Sequence, residues 1–200
     1  MRRKVASGHI LQAALKGRGW KQVLEEVHKL QKKGKIRSDF ADQKNGLESL
    51  AEVLQFIDEE TPDEDRLRAV KAMLVALNAS ESKAGDEILN YRLLKIAKKV
   101  TATQVAILAV CFNNRGVAMG NANPLPMTAW RQTVAGKLGN GWLGLVESEE
   151  PGLSEMGLMA GAEAQGWMQQ PLNWGLTDLG IRFCQHLEAY KAIETALREQ

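Results

Sequence analysis

The stretch that decides the fold is Ser154-Glu155-Met156-Gly157-Leu158-Met159-Ala160-Gly161-Ala162-Glu163-Ala164-Gln165, followed by residues 166–176 and by Thr177-Asp178-Leu179-Gly180 leading on to Leu187. Ser154 to Gln165 reads as a helix. Gly166 to Gln169 and Asn173 to Leu176 alternate as half-buried strands do, and they join around Pro171 as a two-stranded wing. Thr177 is a helix cap. Leu179, Phe183, Leu187 and Tyr190 then share one face of a closing helix. The order is helix, strand, turn, strand, helix.

Upstream of this stretch, Thr101 stands three residues before Gln104, the spacing of a capping box. Val105, Leu108, Ala109 and Phe112 follow on one face. Asn113 to Pro126 is a loop rich in Gly, Asn and Pro, longer than most connections in a compact domain. Met127 to Leu138 reads as a helix with Trp130, Val134 and Leu138 on one side and Gly139 as its stop. Trp142, Leu143, Leu145 and Val146 suggest a short strand or turn. Pro151-Gly152 is read as the break before the Ser154 helix.

The first half is richer in helix formers. Val5, Ile10, Leu11, Ala14 and Leu15 suggest a helix broken or kinked at Gly17-Arg18-Gly19. Trp20, Val23, Leu24, Val27 and Leu30 resume the helical spacing, which ends at Lys32, Lys33 and Gly34. Leu47, Leu50, Ala51, Leu54 and Ile57 mark the next helix. Thr61-Pro62-Asp63-Glu64 reads as a capping box with Pro at the first helical position. Leu67, Val70, Met73, Leu74 and Leu77 follow, stopping near Asn78. Ile88, Leu89, Tyr91, Leu93, Leu94 and Ile96 form another helix ending at Lys98-Lys99. Twelve of the eighteen Gly, four of the five Pro and four of the five Trp lie after residue 100, which puts a boundary near 97–101. No internal repeat is evident.

On these elements, residues 101–190 resemble a winged helix-turn-helix domain. Thr101 to Phe112 would be its first helix, Met127 to Leu138 its second, Ser154 to Gln165 its third, and Trp167 to Leu176 its wing. Leu176-Thr177-x-Leu179-Gly180-x-x-Phe183 resembles the segment that closes the wing in bacterial winged-helix proteins. Asp63 to Lys99 followed by such a domain also resembles proteins of bacterial mobile elements and the abortive-infection alpha group. The fold class expected is mainly α: a helical region over residues 1–99 with a basic start, then a winged-helix-like domain over residues 100–200 with a small antiparallel β wing. Such domains commonly bind DNA and also serve protein contacts, so fold alone does not choose between them.

Charge bears on that choice. Residues 1–37 are net +9, 38–65 net −9, 66–99 net +5 and 100–200 net −3. A polyanion-binding surface must therefore draw on the first half. Arg2, Arg3, Lys4, Lys29, Lys32, Lys33, Lys35 and Arg37 are the candidates, unless the acidic segment 38–65 packs beside them and neutralises them. The helix expected to enter a DNA groove, Ser154 to Gln165, carries Glu155 and Glu163 and no Lys or Arg. Base readout normally needs Arg, Lys, Asn or Gln on that helix, which offers only Gln165. Its small residues Gly157, Ala160, Gly161 and Ala164 instead suit close approach by a protein partner or by the chain's own first half.

Other chemistry is thin. His9, His28 and His186 lack metal-ligand spacing, and no phosphate-binding or dinucleotide motif and no nucleophile elbow occurs. Asp58-Glu59-Glu60 and Asp63-Glu64-Asp65 read as acidic residues around helix termini. Trp142, Trp167 and Trp174 are read mainly as packing residues. Cys111 and Cys184 both fall on apolar helical patterns, as buried thiols in a reducing cytoplasm would. No signal-peptide pattern and no membrane-length apolar run appears. The expectation is a cytoplasmic, non-enzymatic regulatory or interaction protein without cofactor or metal. It would bind a protein partner or self-associate through the winged-helix-like domain. The alternative class is a nucleic-acid-binding protein that contacts phosphates non-specifically through the basic N-terminal helices.

Overall fold

Val23, Val27 and Leu30 recur on one face of the first helix and are all buried. This helix, α1, spans Arg18–Lys32. Gly34 ends it in the left-handed region at φ 68°. Its N–H bonds the Gln31 carbonyl at 2.9 Å, and the Lys35 N–H bonds the Leu30 carbonyl at 3.0 Å, the paired closure of a Schellman motif. The computed structural model describes residues 18–80, 85–114, 127–162 and 173–198. The helical reading of Val5 to Leu15 lies outside them. The chain divides into two compact units, Met1–Lys98 and Lys99–Gln200.

In the first unit a 3-10 turn at Phe40–Asp42 leads into α2, Lys44–Glu60, then α3, Glu64–Leu77, and α4, Asp86–Ala97. α3 sits centrally, and Ala69 to Leu77 are buried almost all round it. One expected cap moves. The N-cap of α3 is Asp63, whose carboxylate accepts the Arg66 N–H at 2.9 Å, and Pro62 precedes the cap. Thr61 is instead the C-cap of α2, held left-handed at φ 43°, and so cannot take the extended backbone an N-cap needs. On α4, Leu93, Leu94 and Ile96 are buried, whereas Ile88 is 82% exposed and Tyr91 39%. The inward face of α4 is thus narrower than its apolar residues suggest.

The second unit opens with α5, Ala102–Asn113. The Thr101–Gln104 capping box closes in both directions at 3.1 Å. α6 is Met127–Leu138, with Trp130 and Val134 buried, and Gly139 follows it at φ 122°. α7 is Leu143–Glu155, and here the sequence expectation is overturned. Of the expected Ser154 to Gln165 helix, Ser154 and Glu155 instead end α7 and Met159–Ala162 is a strand, while residues 163–165 lie outside the described residues. Leu143 to Val146, expected as a short strand or turn, open α7.

Two causes produce the shift. Pro151 sits inside α7 without ending it, because its ring is exposed and its missing N–H removes a single ladder bond. Val146, Glu150 and Leu153, at i, i+4 and i+7, are all buried and hold the helix together across it. The true stop is Gly157, at φ 73°. Its N–H bonds the Ser154 carbonyl at 2.9 Å and the Leu158 N–H bonds the Leu153 carbonyl at 3.0 Å. This is the closure already seen at Gly34.

The chain then enters β1, Met159–Ala162, which pairs antiparallel with β2, Asn173–Leu176. Met159 faces Leu176 and Gly161 faces Trp174. This is the only sheet among the described residues, apart from an isolated bridge between Ile36 and Ala79. The second expected strand is found as read, while the first, Gly166 to Gln169, lies outside the described residues. α8, Asp178–Arg198, completes the unit, with Phe183, Cys184, Leu187 and Tyr190 buried. α5 packs against α6, α7, α8 and β2, so the core of this unit gathers around it.

Candidate functional site

The second unit is held by three polar junctions that set where α7 lies. At the first, Gln104 closes the α5 capping box with its side-chain oxygen and donates from Nε2 to the Glu149 carbonyl on α7 at 3.4 Å. Gly152 leaves room for it, since a Cβ there would come within 2.7 Å of Gln104 Nε2. At the second, Arg131 on α6 donates to the Glu150 carboxylate on α7 at 2.6 Å. Glu150 is only 3% exposed, so the pair is a shielded cross-link between neighbouring helices.

The third junction accounts for the Leu176-Thr177-Asp178-Leu179-Gly180 segment. The Thr177 hydroxyl accepts the Gly180 N–H at 3.0 Å, capping α8, and donates to the Gly157 carbonyl at 2.7 Å. The Thr177 N–H bonds the Leu158 carbonyl at 3.1 Å. Gly180 is required by close approach, because any Cβ would collide with that same Leu158 oxygen.

With Val146, Glu150 and Leu153 turned inward, α7 presents Gly144, Leu145, Glu147, Ser148, Pro151 and Glu155 outward. Leu143 and Leu145 are 40% and 46% exposed, large apolar groups left in water. α7 contains four Glu and no Lys or Arg. The register differs from the expected one, but the absence of cations is common to both.

Of the small residues Gly157, Ala160, Gly161 and Ala164, the three that are described do not line a helix. Gly157 is the turn after α7, Ala160 is exposed on β1, Gly161 lies across from Trp174, and Ala164 falls outside the described residues. The correction follows directly from the Gly157 stop. Leu143 and Leu145, expected in a short strand or turn, belong to α7 together with Glu147, because Pro151 does not break the helix.

The basic candidates divide. Lys29, Lys32, Lys33 and Lys35 are exposed around the end of α1. Arg37 is half-buried, donates to Asp39 at 3.2 Å and lies 3.8 Å from Glu87. Gln43, donating at 2.6 Å, and then Arg37 hold the Asp39 carboxyl below its usual range. Arg2, Arg3 and Lys4 lie outside the described residues.

Carboxylates of the acidic segment reach residues 66–99. Glu52 accepts from Tyr91 at 2.5 Å and Lys95 at 2.8 Å and lies 3.6 Å from Lys98, while Arg68 bonds Glu64 and Asp65 at 2.7 Å. Burial pushes the Glu52 carboxyl up, but the bonds from Lys95 and Tyr91 outweigh it and leave it lowered. Lys95 is correspondingly raised, chiefly by its bond to Glu52.

No family model, curated protein or solved structure matches the chain.

Cys111 and Cys184 are buried thiols, not joined to each other in a disulfide. Burial pushes the Cys111 thiol far above its usual range, which keeps it protonated and unreactive. Among the described residues no group of three His, Cys, Asp or Glu side chains could hold a metal ion. No described helix is long and apolar enough to cross a membrane.

Proposed function

We propose that residues 99–200 form a winged-helix-type unit whose third helix, α7, makes contact with protein rather than with DNA bases. In this reading α5, α6 and α7 are the three helices, β1 and β2 the wing, and α8 the closing helix. The protein is a non-enzymatic regulatory or interaction module. The reading rests on one observation: α7 carries four Glu and no Lys or Arg, and exposes Leu143 and Leu145. A helix laid in a groove would bring those carboxylates against phosphates, with no side-chain donor for base edges beyond the hydroxyls of Ser148 and Ser154. Depletion of cations together with exposed apolar side chains suits a protein surface.

A second reading is favoured by a separate feature, the exposed Lys29, Lys32, Lys33 and Lys35 around the Schellman turn of α1. These would contact phosphates without reading sequence. Binding of the full chain to duplex DNA across a salt series tests both. Any binding is expected to be non-specific, to weaken steeply with salt and to fall equally for all sequences when these four lysines become Gln. A sequence-selective footprint lost on altering residues 143–155, and kept without the lysines, would restore DNA readout by α7 and sink the proposal.

A further inference from the structure

The outward stripe of α7 offers hydrogen-bond acceptors and apolar surface and no cation. Glu147 and Glu155 are exposed on it, and Leu143, one turn before Glu147, is 40% exposed at its edge. Pro151 adds an independent feature. It is exposed and has no N–H, so the Glu147 main-chain carbonyl lacks the donor that the fourth residue along a helix normally supplies. That carbonyl shares the stripe with the Glu147 carboxylate. Its counterpart must therefore supply donors and positive charge, with apolar stems to cover the leucines. Lys and Arg combine these properties, since their methylene stems lie along apolar surface while the charged heads reach acceptors. An anionic or purely apolar surface would leave the carboxylates unpaired against it.

We infer that α7 docks a cationic amphipathic helix of a partner protein, with Lys or Arg side chains on Glu147 and Glu155 and an apolar edge against Leu143. This rests on the protein-contact reading above and adds the chemistry of the partner.

The test uses the full chain and two fluorescent synthetic amphipathic peptides with identical leucine spacing, one with Lys at the polar positions and one with Glu. The Lys peptide is expected to bind saturably, with affinity that falls as salt rises. The Glu peptide is expected not to bind. The double substitution Glu147→Lys with Glu155→Lys alters exposed residues, so folding should survive, as circular dichroism will report. It should weaken binding of the Lys peptide by about tenfold or more. The control, Asp58→Lys with Glu59→Lys on the acidic segment, should leave binding unchanged. Binding that survives reversal on α7, or is lost in the control, would overturn the inference. Equal binding of both peptides, or of neither, would also overturn it while leaving the protein-contact reading standing. That broader reading fails separately, by the α7-dependent DNA footprint. Self-association of the chain that the α7 reversal dissolves would overturn a foreign partner in favour of a second copy.

Discussion

Replacing Gly180 with Ala separates two influences on the start of α8. By helix propensity alone Ala is better than Gly by about 1 kcal/mol. At Gly180, however, a Cβ would run into the Leu158 carbonyl oxygen and sit 3.0 Å from its carbon and 3.2 Å from Leu176 Cδ2. The obstruction is main chain already engaged by the Thr177 N–H, so it cannot swing aside as a side-chain tip would. Relief requires the first turn of α8 to move off the turn between α7 and β1. That movement gives up the Thr177 bonds to Gly157 and Leu158, at about 1 kcal/mol each. Residual overpacking adds about 1–3 kcal/mol. Set against the propensity gain, the net loss is about 2–4 kcal/mol. Urea unfolding followed by tryptophan fluorescence reads this unit well, since four of the five Trp belong to it. Gly144→Ala is the matched control: it lies on α7 with nothing within 4 Å of an added Cβ, and should be neutral or gain up to about 1 kcal/mol. A Gly180→Ala chain as stable as the parent, or one that tracks Gly144→Ala, would refute the close-approach argument.

Phe183 is fully buried on α8, which packs against α5, so Phe183→Ala should cost about 3–5 kcal/mol in the same assay. Arg131→Met leaves the Glu150 carboxylate shielded and unpaired, and should cost about 2–4 kcal/mol at neutral pH, whereas adding Glu150→Leu should recover most of it. Glu52 titrates below its ordinary 4.5, so its ionic contribution is present above that pH and is lost as pH falls through the lower folded value. Lys95 titrates above its ordinary 10.5, so its contribution is present below that pH and is lost as pH rises through the higher folded value. Glu52→Gln should remove both dependences, worth about 0.5–1 kcal/mol for so accessible a pair, as stability curves at acid and alkaline pH will show.

The legibility of this chain in its sequence varied with the kind of signal. α6 has the bounds its periodicity implies, and α5 begins at its expected capping box, because in both the apolar stripe and the boundary residue agree. The closing segment from Thr177 onward was equally clear, since a cap and a spaced apolar face reinforce each other: Phe183, Leu187 and Tyr190 are buried as expected, and Leu179 is half-buried. α7 was misread where two local signals conflicted. Pro151 argues for a break, while Val146, Glu150 and Leu153 argue for continuity, and a buried Glu at the central position hides the stripe from any apolar pattern. Its partner Arg131 lies on another helix, so no local window could reveal that Glu150 points inward. Gly157 then looked like one of several small helical residues, although it was the stop. Ile88 failed differently, as an apolar residue in the first turn of α4 that tertiary packing leaves outside. For the candidate site, the absence of cations survived the error in register because it holds over the whole of 143–165. The exposed leucines Leu143 and Leu145 did not, since they belong to the part that reads as a short strand or turn.

The Thr177 junction has a further consequence, for how this unit can diverge. Gly157 and Leu158 are tied to Thr177 by hydrogen bonds on both sides of the hairpin, so the departure and return of the chain are fastened at one point. β1 leaves and β2 returns at this closed stem. The ends being already together, lengthening the chain between the two strands should cost only the slowly growing entropy of a longer loop, about 0.6 kcal/mol for each doubling. Insertions there would leave the spacing of α7 and α8 unchanged. Reach and composition at the hairpin can thus drift, or be engineered, while α7 and α8 keep their positions.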